Sequence, residues 1–313
     1  MKNVCFVGCG DIARQHAQML QGRVGLYFYS RTQKSAEDFY QAFKGEGIFF
    51  TYVDVINSKE IDAVVLCSPP EAHKGQIVDA LAAGKNVLVE KPMVVNHKEL
   101  QDVAMLASHH KNQFVMVAEN YHYKPSLTKL QKIIKSGVIG DVQEIYIKKM
   151  FTQGSTGWKE KYGALFEGGV HFVAFCTSLM DRKKPTTIEA QFPSKKNPER
   201  TSHLVLHYDQ GVKAVIDYSW ETPDMLKGVF QHSYIQGTKG RITFESNGLY
   251  IISPKGFRIC DIKGLSGRAE MMEDFLDCLK NPGKKPEYDV FEAAKDLEII
   301  FDAYKQANRN IVV

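Results

Sequence analysis

The sequence predicts an α/β fold. An N-terminal Rossmann-type, doubly wound parallel sheet covers residues 1–120, and a C-terminal α+β domain with a large, mostly antiparallel open sheet covers residues 121–313. Three observations predict it. The chain opens on a short apolar run, Lys2 to Val7, which enters the glycine turn Gly8-Cys9-Gly10-Asp11-Ile12-Ala13 and then a helical stretch to Leu20. Short apolar runs then alternate with helical segments as far as residue 118, the pattern of a parallel sheet covered on both faces. Beyond residue 140 the pattern becomes period-two alternation, which belongs to antiparallel strands with two unlike faces. At 313 residues the chain is also longer than one hydrophobic core usually serves.

The opening turn has the mechanics of a dinucleotide site. Gly8 permits a tight turn, Gly10 lets the backbone approach a pyrophosphate, and Ala13 is small enough for close helix–strand packing. The first helical residues, Asp11 and Ile12, sit where N–H groups and the positive dipole end favour phosphate. Leu26 to Ser30 reads as the second strand and Lys34 to Phe43 as the next helix. Ile48 to Val55 is the weakly marked strand of the set. Ala63 to Cys67 is a clear strand ended by Ser68-Pro69-Pro70, followed by a helix from Ala72 to Ala83 closed by Gly84. Asn86 to Val89, His97 to His109 and Phe114 to Ala118 complete the alternation as strand, helix and strand.

In the second domain, Ile188, Ala190 and Phe192 alternate with Glu189 and Gln191, and Leu204, Leu206 and Tyr208 alternate with Val205 and His207. Val212, Ala214, Ile216, Tyr218 and Trp220 do the same against Lys213, Val215, Asp217 and Ser219. Helices over Ala269 to Lys280 and Phe291 to Ala307 close the chain, the latter with Phe291, Ala294, Leu297, Phe301 and Tyr304 on one stripe. A broad apolar sheet face calls for cover, which predicts a homodimer or homotetramer formed through the C-terminal sheet.

Composition narrows the function classes. A net charge of +4 with scattered Lys and Arg gives no nucleic-acid footprint. No apolar run approaches the about 18 residues of a membrane span, and the N-terminus carries no signal-peptide pattern, so a cytoplasmic protein without a membrane partner is expected. The cysteines Cys5, Cys9, Cys67, Cys176, Cys260 and Cys278 form no CxxC pair and no metal-type spacing with His, so no metal site is expected and the reduced state is the simple reading.

Ligands of doubly wound sheets bind beyond the carboxyl ends of the strands, so residues just after strands are the candidates. The residue ending the second strand usually separates NAD from NADP. Here it is Ser30, followed by Arg31, Thr32 and Lys34, with no carboxylate to repel a 2′-phosphate. NADP(H) is therefore the expected cofactor, with NAD(H) the alternative. Three further constellations follow strand ends. Glu90-Lys91-Pro92 offers an ammonium to polarise a carbonyl or hydroxyl, with Glu90 to orient it. Glu119-Asn120-Tyr121 leads to Pro125 as the chain leaves the first domain. Gly163 to His171 places Glu167 and His171 four apart, on one face of a helix, and His suits proton transfer near neutrality. Trp158, Tyr121, Tyr123 and Tyr162 are placed either to stack on a planar or sugar substrate or to pack at the domain interface.

The ordered set GCGDIA at 8–13, SPPEAH at 68–73, EKP at 90–92, ENYHYKP at 119–125, VIGDVQEI at 138–145, GALFEGGVH at 163–171 and IQGTKGRITF at 235–244 resembles the glucose–fructose oxidoreductase and inositol dehydrogenase family, Gfo/Idh/MocA. The resemblance covers nearly the whole chain. It implies hydride transfer between a nicotinamide cofactor and a carbon of a sugar, inositol or related polyol. It implies that Lys91 lies near the reacting carbon, that His171 is the acid/base group, and that Asn120 lies near nicotinamide and substrate. Ser68, Pro69, His73, Glu90 and Lys91 are the implied cofactor contacts after the third and fourth clear strands, and Asn120, Tyr121, Trp158, Glu167 and His171 join Lys91 around the substrate. The chain departs from the pattern at Glu167, where the family usually has Asp, and at His122, where it often has Arg. The competing readings are a non-catalytic NADP(H)-binding sensor or accessory protein, and an enzyme acting on a non-sugar carbonyl or cyclic diol.

Overall fold

The computed structural model describes residues 1–154, 156–224, 226, 228–261 and 264–311. The chain divides into two compact units, Met1–Glu119 with Ala269–Ala294, and Asn120–Arg268 with Lys295–Val313. The first contains β1 (Asn3–Val7), α1 (Asp11–Leu20), β2 (Gly25–Tyr29), α2 (Gln33–Phe43), β3 (Gly47–Ile48), α3 (Tyr52–Asn57), β4 (Ala63–Leu66), α4 (Pro70–Ala82), β5 (Asn86–Val89), α5 (His97–His109) and β6 (Val115–Val117). Its sheet has the order β3-β2-β1-β4-β5-β6, with every pair parallel. This is the order of a dinucleotide-binding sheet, whose strand connections reverse direction beside β1. The apolar runs are continuous because helices cover both faces: Val4, Cys5, Phe6, Ala63, Val64, Leu66, Val87, Leu88 and Val89 are all fully buried.

The expected strand over Ile48 to Val55 is a correction. Only Gly47 and Ile48 pair with β2, and Tyr52–Asn57 is a helix. Thr51 is the reason. Its hydroxyl accepts from the Asp54 backbone N–H at 3.1 Å, while the Asp54 carboxylate accepts from the Thr51 N–H at 3.2 Å. This reciprocal cap satisfies donors that a strand would have had to pair elsewhere.

The second unit begins with α6 (Pro125–Lys135) and β7 (Val142–Met150), in stretches where the sequence reading assigns no element. It continues with α7 (Val170–Leu179), β8 (Thr187–Gln191), β9 (Thr201–His207), β10 (Lys213–Ser219), β11 (His232–Gly237), β12 (Gly240–Glu245), β13 (Tyr250–Ser253) and β14 (Gly256–Ile259). Its sheet has the order β14-β13-β12-β11-β7-β10-β9-β8. All pairs are antiparallel except β7 with β10, which run parallel at the centre. In β10 the alternation is resolved as expected, with Ala214, Ile216 and Tyr218 buried and Lys213, Val215 and Asp217 on the other face. Along α7 every residue but His171 is buried.

Two helices close the chain, α8 (Arg268–Lys280) and α9 (Val290–Gln306). Residues 269–294, which chain order groups with 121–313, cluster instead with the first unit, where Phe275 of α8 meets Phe114 edge-on at 6.0 Å. The expected stripe on α9 is shifted at its start. Phe291 is 44% exposed, and Ala293 and Leu297, each 2% exposed, with the fully buried Ile300, carry the inward face that continues to Tyr304.

The turn after β1 rests on one backbone conformation. Gly8 has φ +101°, and a Cβ there would lie 2.9 Å from both the carbonyl carbon and oxygen of Cys67. Neither atom belongs to a flexible side chain, so the contact has no cheap relief. Gly8→Ala is expected to lower stability by about 1–3 kcal/mol, the usual cost of a strained backbone position. Urea unfolding checks this, and an unchanged midpoint with unchanged slope would mean that the turn rearranges freely.

Candidate functional site

The sequence-predicted residues fall into two groups, one on each unit. On the first unit they gather beyond the carboxyl ends of β1, β2, β4 and β5. The Gly8 N–H donates to the Tyr29 carbonyl at 2.8 Å, which ties the glycine turn to the end of β2. Gly10 is the N-cap of α1 and offers no side-chain cap, so the first N–H groups of the helix are not answered by one. A Cβ at Gly10 would meet nothing within 4 Å. The fold therefore does not require glycine at position 10, whereas it does at position 8. An open approach above uncapped helical N–H groups is what a pyrophosphate needs, and the residues present fit a dinucleotide there. Asp11 is exposed and Ile12 half-buried at the start of the same helix.

At the end of β2, Ser30 is half-buried and Arg31 exposed. Arg31 makes no hydrogen bond or ion pair with any described residue. Thr32 is the N-cap of α2 without a side-chain cap bond. Lys34 is committed to Asp38 one turn on, at 2.8 Å, so of the two cations expected here only Arg31 has no partner among the described residues.

After β4, the Ser68 hydroxyl donates to Gln76 Oε1 at 2.5 Å and Pro69 is the N-cap of α4. His73, expected to touch cofactor, is a correction: it is 0% exposed. Its Nδ1 lies 3.0 Å from the Pro92 carbonyl and its Nε2 2.8 Å from the Ser68 carbonyl, so it braces the turn after β4 against the turn after β5. Burial lowers its pKa below the ordinary imidazole value, although both carbonyls favour the charged ring.

Glu90 is braced in the same manner. Its Oε1 lies 2.6 Å from Nε2 of His16, which is buried on α1, and its Oε2 accepts from the Lys91 backbone N–H at 3.3 Å. Sequence reasoning missed His16, although the signal was present: it is a polar residue on the buried stripe Ala13-His16-Ala17-Leu20. Lys91 itself is half-buried and is followed by a cis peptide to Pro92.

On the second unit, Asn120 opens a short 3-10 turn and is 7% exposed. Its Nδ2 donates to the Ser266 carbonyl at 2.5 Å, so part of the amide expected to face ligand is committed to backbone. Tyr121 stacks on His171, with centroids 4.6 Å apart and planes at 16°, and the Lys124 ammonium lies 4.2 Å from the same Tyr ring centroid. Aromatic contact on this scale helps to fix the plane of the ring. His171 is the one half-exposed residue of α7. His122, at the position where Arg was the family expectation, turns to Ser178 Oγ at 3.0 Å.

Glu167 does not sit on a regular α-helix. Leu165–Gly169 form a π-turn that runs directly into α7. Such single turns insert a residue into a helix and occur often at functional positions. Glu167 is 3% exposed, and its Oε1 pairs with Lys159 Nζ at 2.8 Å. Trp158 lies edge-on to Tyr162 at 5.8 Å. Tyr162 and Tyr123 are buried, which places these two in packing rather than at a ligand surface.

Comparison with known proteins follows the same division. Residues 2–119 match the family model for the oxidoreductase family with an NAD-binding Rossmann fold, and residues 127–243 match the model of the GFO/IDH/MocA C-terminal domain. The chain is 26% identical over 216 residues to trans-1,2-dihydrobenzene-1,2-diol dehydrogenase of Mus musculus, covering 67% of this chain and 63% of that one. It is 28% identical over 191 residues to glucose-6-phosphate 3-dehydrogenase of Bacillus subtilis, covering 55% of this chain and 52% of that one. The matched region thus spans less than two thirds of the length of these relatives. In fold, the chain superposes on an oxidoreductase from Thermotoga maritima with a TM-score of 0.85 at 24% identity, covering 98% of this chain and 97% of the other. Among the described residues, no helix is long and apolar enough to cross a membrane.

The contrast between Gly8 and Gly10 is testable. Gly10→Ala is expected to leave the unfolding free energy from urea titration within about 0.5 kcal/mol of the parent, as for a substitution that touches nothing. The same variant is expected to weaken dinucleotide binding at least tenfold, read by nicotinamide fluorescence.

Proposed function

Because the chain belongs to the GFO/IDH/MocA oxidoreductase family, we propose that it is a nicotinamide-dependent dehydrogenase or reductase acting on a carbinol carbon of a sugar, inositol or related polyol. The observation that carries this reading is His171. It is half-exposed at the head of an otherwise buried helix, and its plane is held by Tyr121. That placement serves proton exchange better than packing.

When bound, the nicotinamide nucleotide supplies the hydride chemistry. Gly8, Gly10, Asp11 and Ile12 hold its phosphates, with Ser30, Arg31, Ser68 and Pro69 at its adenosine end. Arg31 supports a preference for NADP(H), since an exposed guanidinium at the end of β2 suits a 2′-phosphate and no carboxylate opposes one. Lys91 stabilises negative charge on the reacting oxygen, and Glu90, fixed by His16, holds the backbone from which Lys91 projects. His171 accepts the hydroxyl proton in oxidation and returns it in reduction. Glu167 and Asn120 orient the substrate, with Tyr121 and Trp158 beside it. The Lys159 ion pair directs the longer Glu167 side chain toward the preceding 3-10 segment, Gly157–Lys161. Cytoplasmic location and a homodimer or homotetramer belong to the same reading. Phe257 and Ile259, 60% and 65% exposed on the edge strand β14, with Ile252 at 44% beside them, support self-association through the sheet.

Two measurements test the proposal. Fluorescence titration with NADPH and NADH is expected to show tighter NADPH binding, and Arg31→Asp is expected to reverse the order. Equal affinities in the parent protein would remove the preference. A panel of sugars, inositols and cyclic diols with NADP+ is then expected to reveal turnover, which Lys91→Ala and His171→Ala each reduce by roughly two to four decades. Cofactor binding without turnover anywhere in the panel would favour a sensor.

A further inference from the structure

We infer that Glu199 is a positioning residue that holds the π-turn carrying Glu167 and leading to His171. Glu199 lies just before β9 and is 2% exposed. Its backbone carbonyl accepts from the Ala164 N–H at 2.9 Å, and its Oε1 accepts from the Leu165 N–H at 3.0 Å. These two amides stand at the head of the helical segment, where the first N–H groups have no intrahelical partner and need another acceptor. The same Oε1 accepts from the Tyr304 hydroxyl of α9. The next residue completes the clamp, because Arg200 Nη1 donates to the Tyr162 carbonyl at 2.9 Å. Gly163 is threaded between the partners: a Cβ there would lie 2.2 Å from the Tyr304 hydroxyl and 2.3 Å from Glu199 Oε1. The backbone of residues 162–165 is thus registered against one buried carboxyl group and its neighbour, and Glu167 follows within the turn.

The carboxyl is also poised to ionise near neutrality. Oε2 is buried without a hydrogen-bond partner among the described residues. Burial pushes the pKa from the ordinary carboxyl value of 4.5 up to about 7, against the opposing pull of Tyr304, the Leu165 and Ala164 amides and Arg200. The titratable and charged groups around it are Tyr304 on α9, Tyr162 and the Glu167–Lys159 pair at the turn, Tyr218 on β10, and Arg200. Well below pH 7 the carboxyl is neutral. Above it, a charge enters a site with one unsatisfied oxygen. Because the folded-state pKa is raised, the stability held at low pH declines as pH rises from about 4.5 and is fully lost above about 7. The consequence for turnover rests on the roles proposed for Glu167 and His171, but the positioning does not.

The test follows the amides rather than the reaction. In protein labelled with 15N at Leu and Glu, the Leu165 and Glu167 amide signals are expected to shift with one midpoint near pH 7. Glu199→Gln, which keeps the Oε1 acceptor and removes the ionisation, is expected to abolish that step and hold both signals near their parent low-pH positions. Glu199→Ala is expected to displace both signals at every pH, while the NADPH dissociation constant stays within twofold of the parent. Flat amide signals in the parent, or a step that survives in Glu199→Gln, would overturn the inference. If Glu199→Ala does not fold, the Gln variant decides alone. A protein that turns over no polyol would still give the amide result, so failure of the enzymatic reading and failure of the clamp are distinguishable.

Discussion

The carboxyl end of the parallel sheet depends on the close passage of Gly8 over the backbone of Cys67. That passage lets the chain leaving β1 turn across the end of β4, and it sets where α1 begins. Once α1 is fixed, His16 reaches Glu90 beyond β5. His73 completes the frame by joining the turns after β4 and β5. Four strand ends are therefore braced by one glycine and two buried histidines. Both histidines are buried, so each of their polar contacts is costly to leave unmade. The exposed residues of the region, Gly10 and Arg31 among them, project from a frame that other residues hold rigid.

Much of this architecture was legible because period and burial are coupled. Continuous apolar runs marked β1, β4 and β5, and alternation marked β8, β9 and β10, since a strand's partners dictate which of its faces can be wet. Between Ile48 and Val55 local capping competed with that signal. Phe49 and Phe50 extend an apolar run, but Thr51 and Asp54 cap each other and the chain turns helical. Period also says nothing about direction, so the parallel pairing of β7 with β10 inside a mostly antiparallel sheet was not visible in it. On α9 an ideal stripe extended backward one turn too far, to an exposed Phe291.

The candidate site was legible to a different degree. Motifs named the residues that reach outward, such as Gly10, Arg31, Lys91 and His171. They did not reveal what holds them. The Glu199 to Leu165 bond joins residues 34 apart in sequence, and no spacing rule connects a residue before β9 with a glycine-flanked turn. His73 shows the converse: a residue inside a ligand-binding motif whose place is structural, because both ring nitrogens face backbone carbonyls.

The π-turn at Leu165–Gly169 has a consequence of another kind. A helix that accommodates one extra residue stores an offset in its count. Each residue of an α-helix advances the chain by about 100°, so the direction in which Glu167 points relative to His171 is set by how many residues lie between them as well as by which they are. Loss of one residue here would restore an uninterrupted helix and swing everything before it by about that angle, leaving α7 and its buried face untouched. Length at this turn is thus a coordinate by which a small deletion could redirect Glu167 without any side chain being replaced.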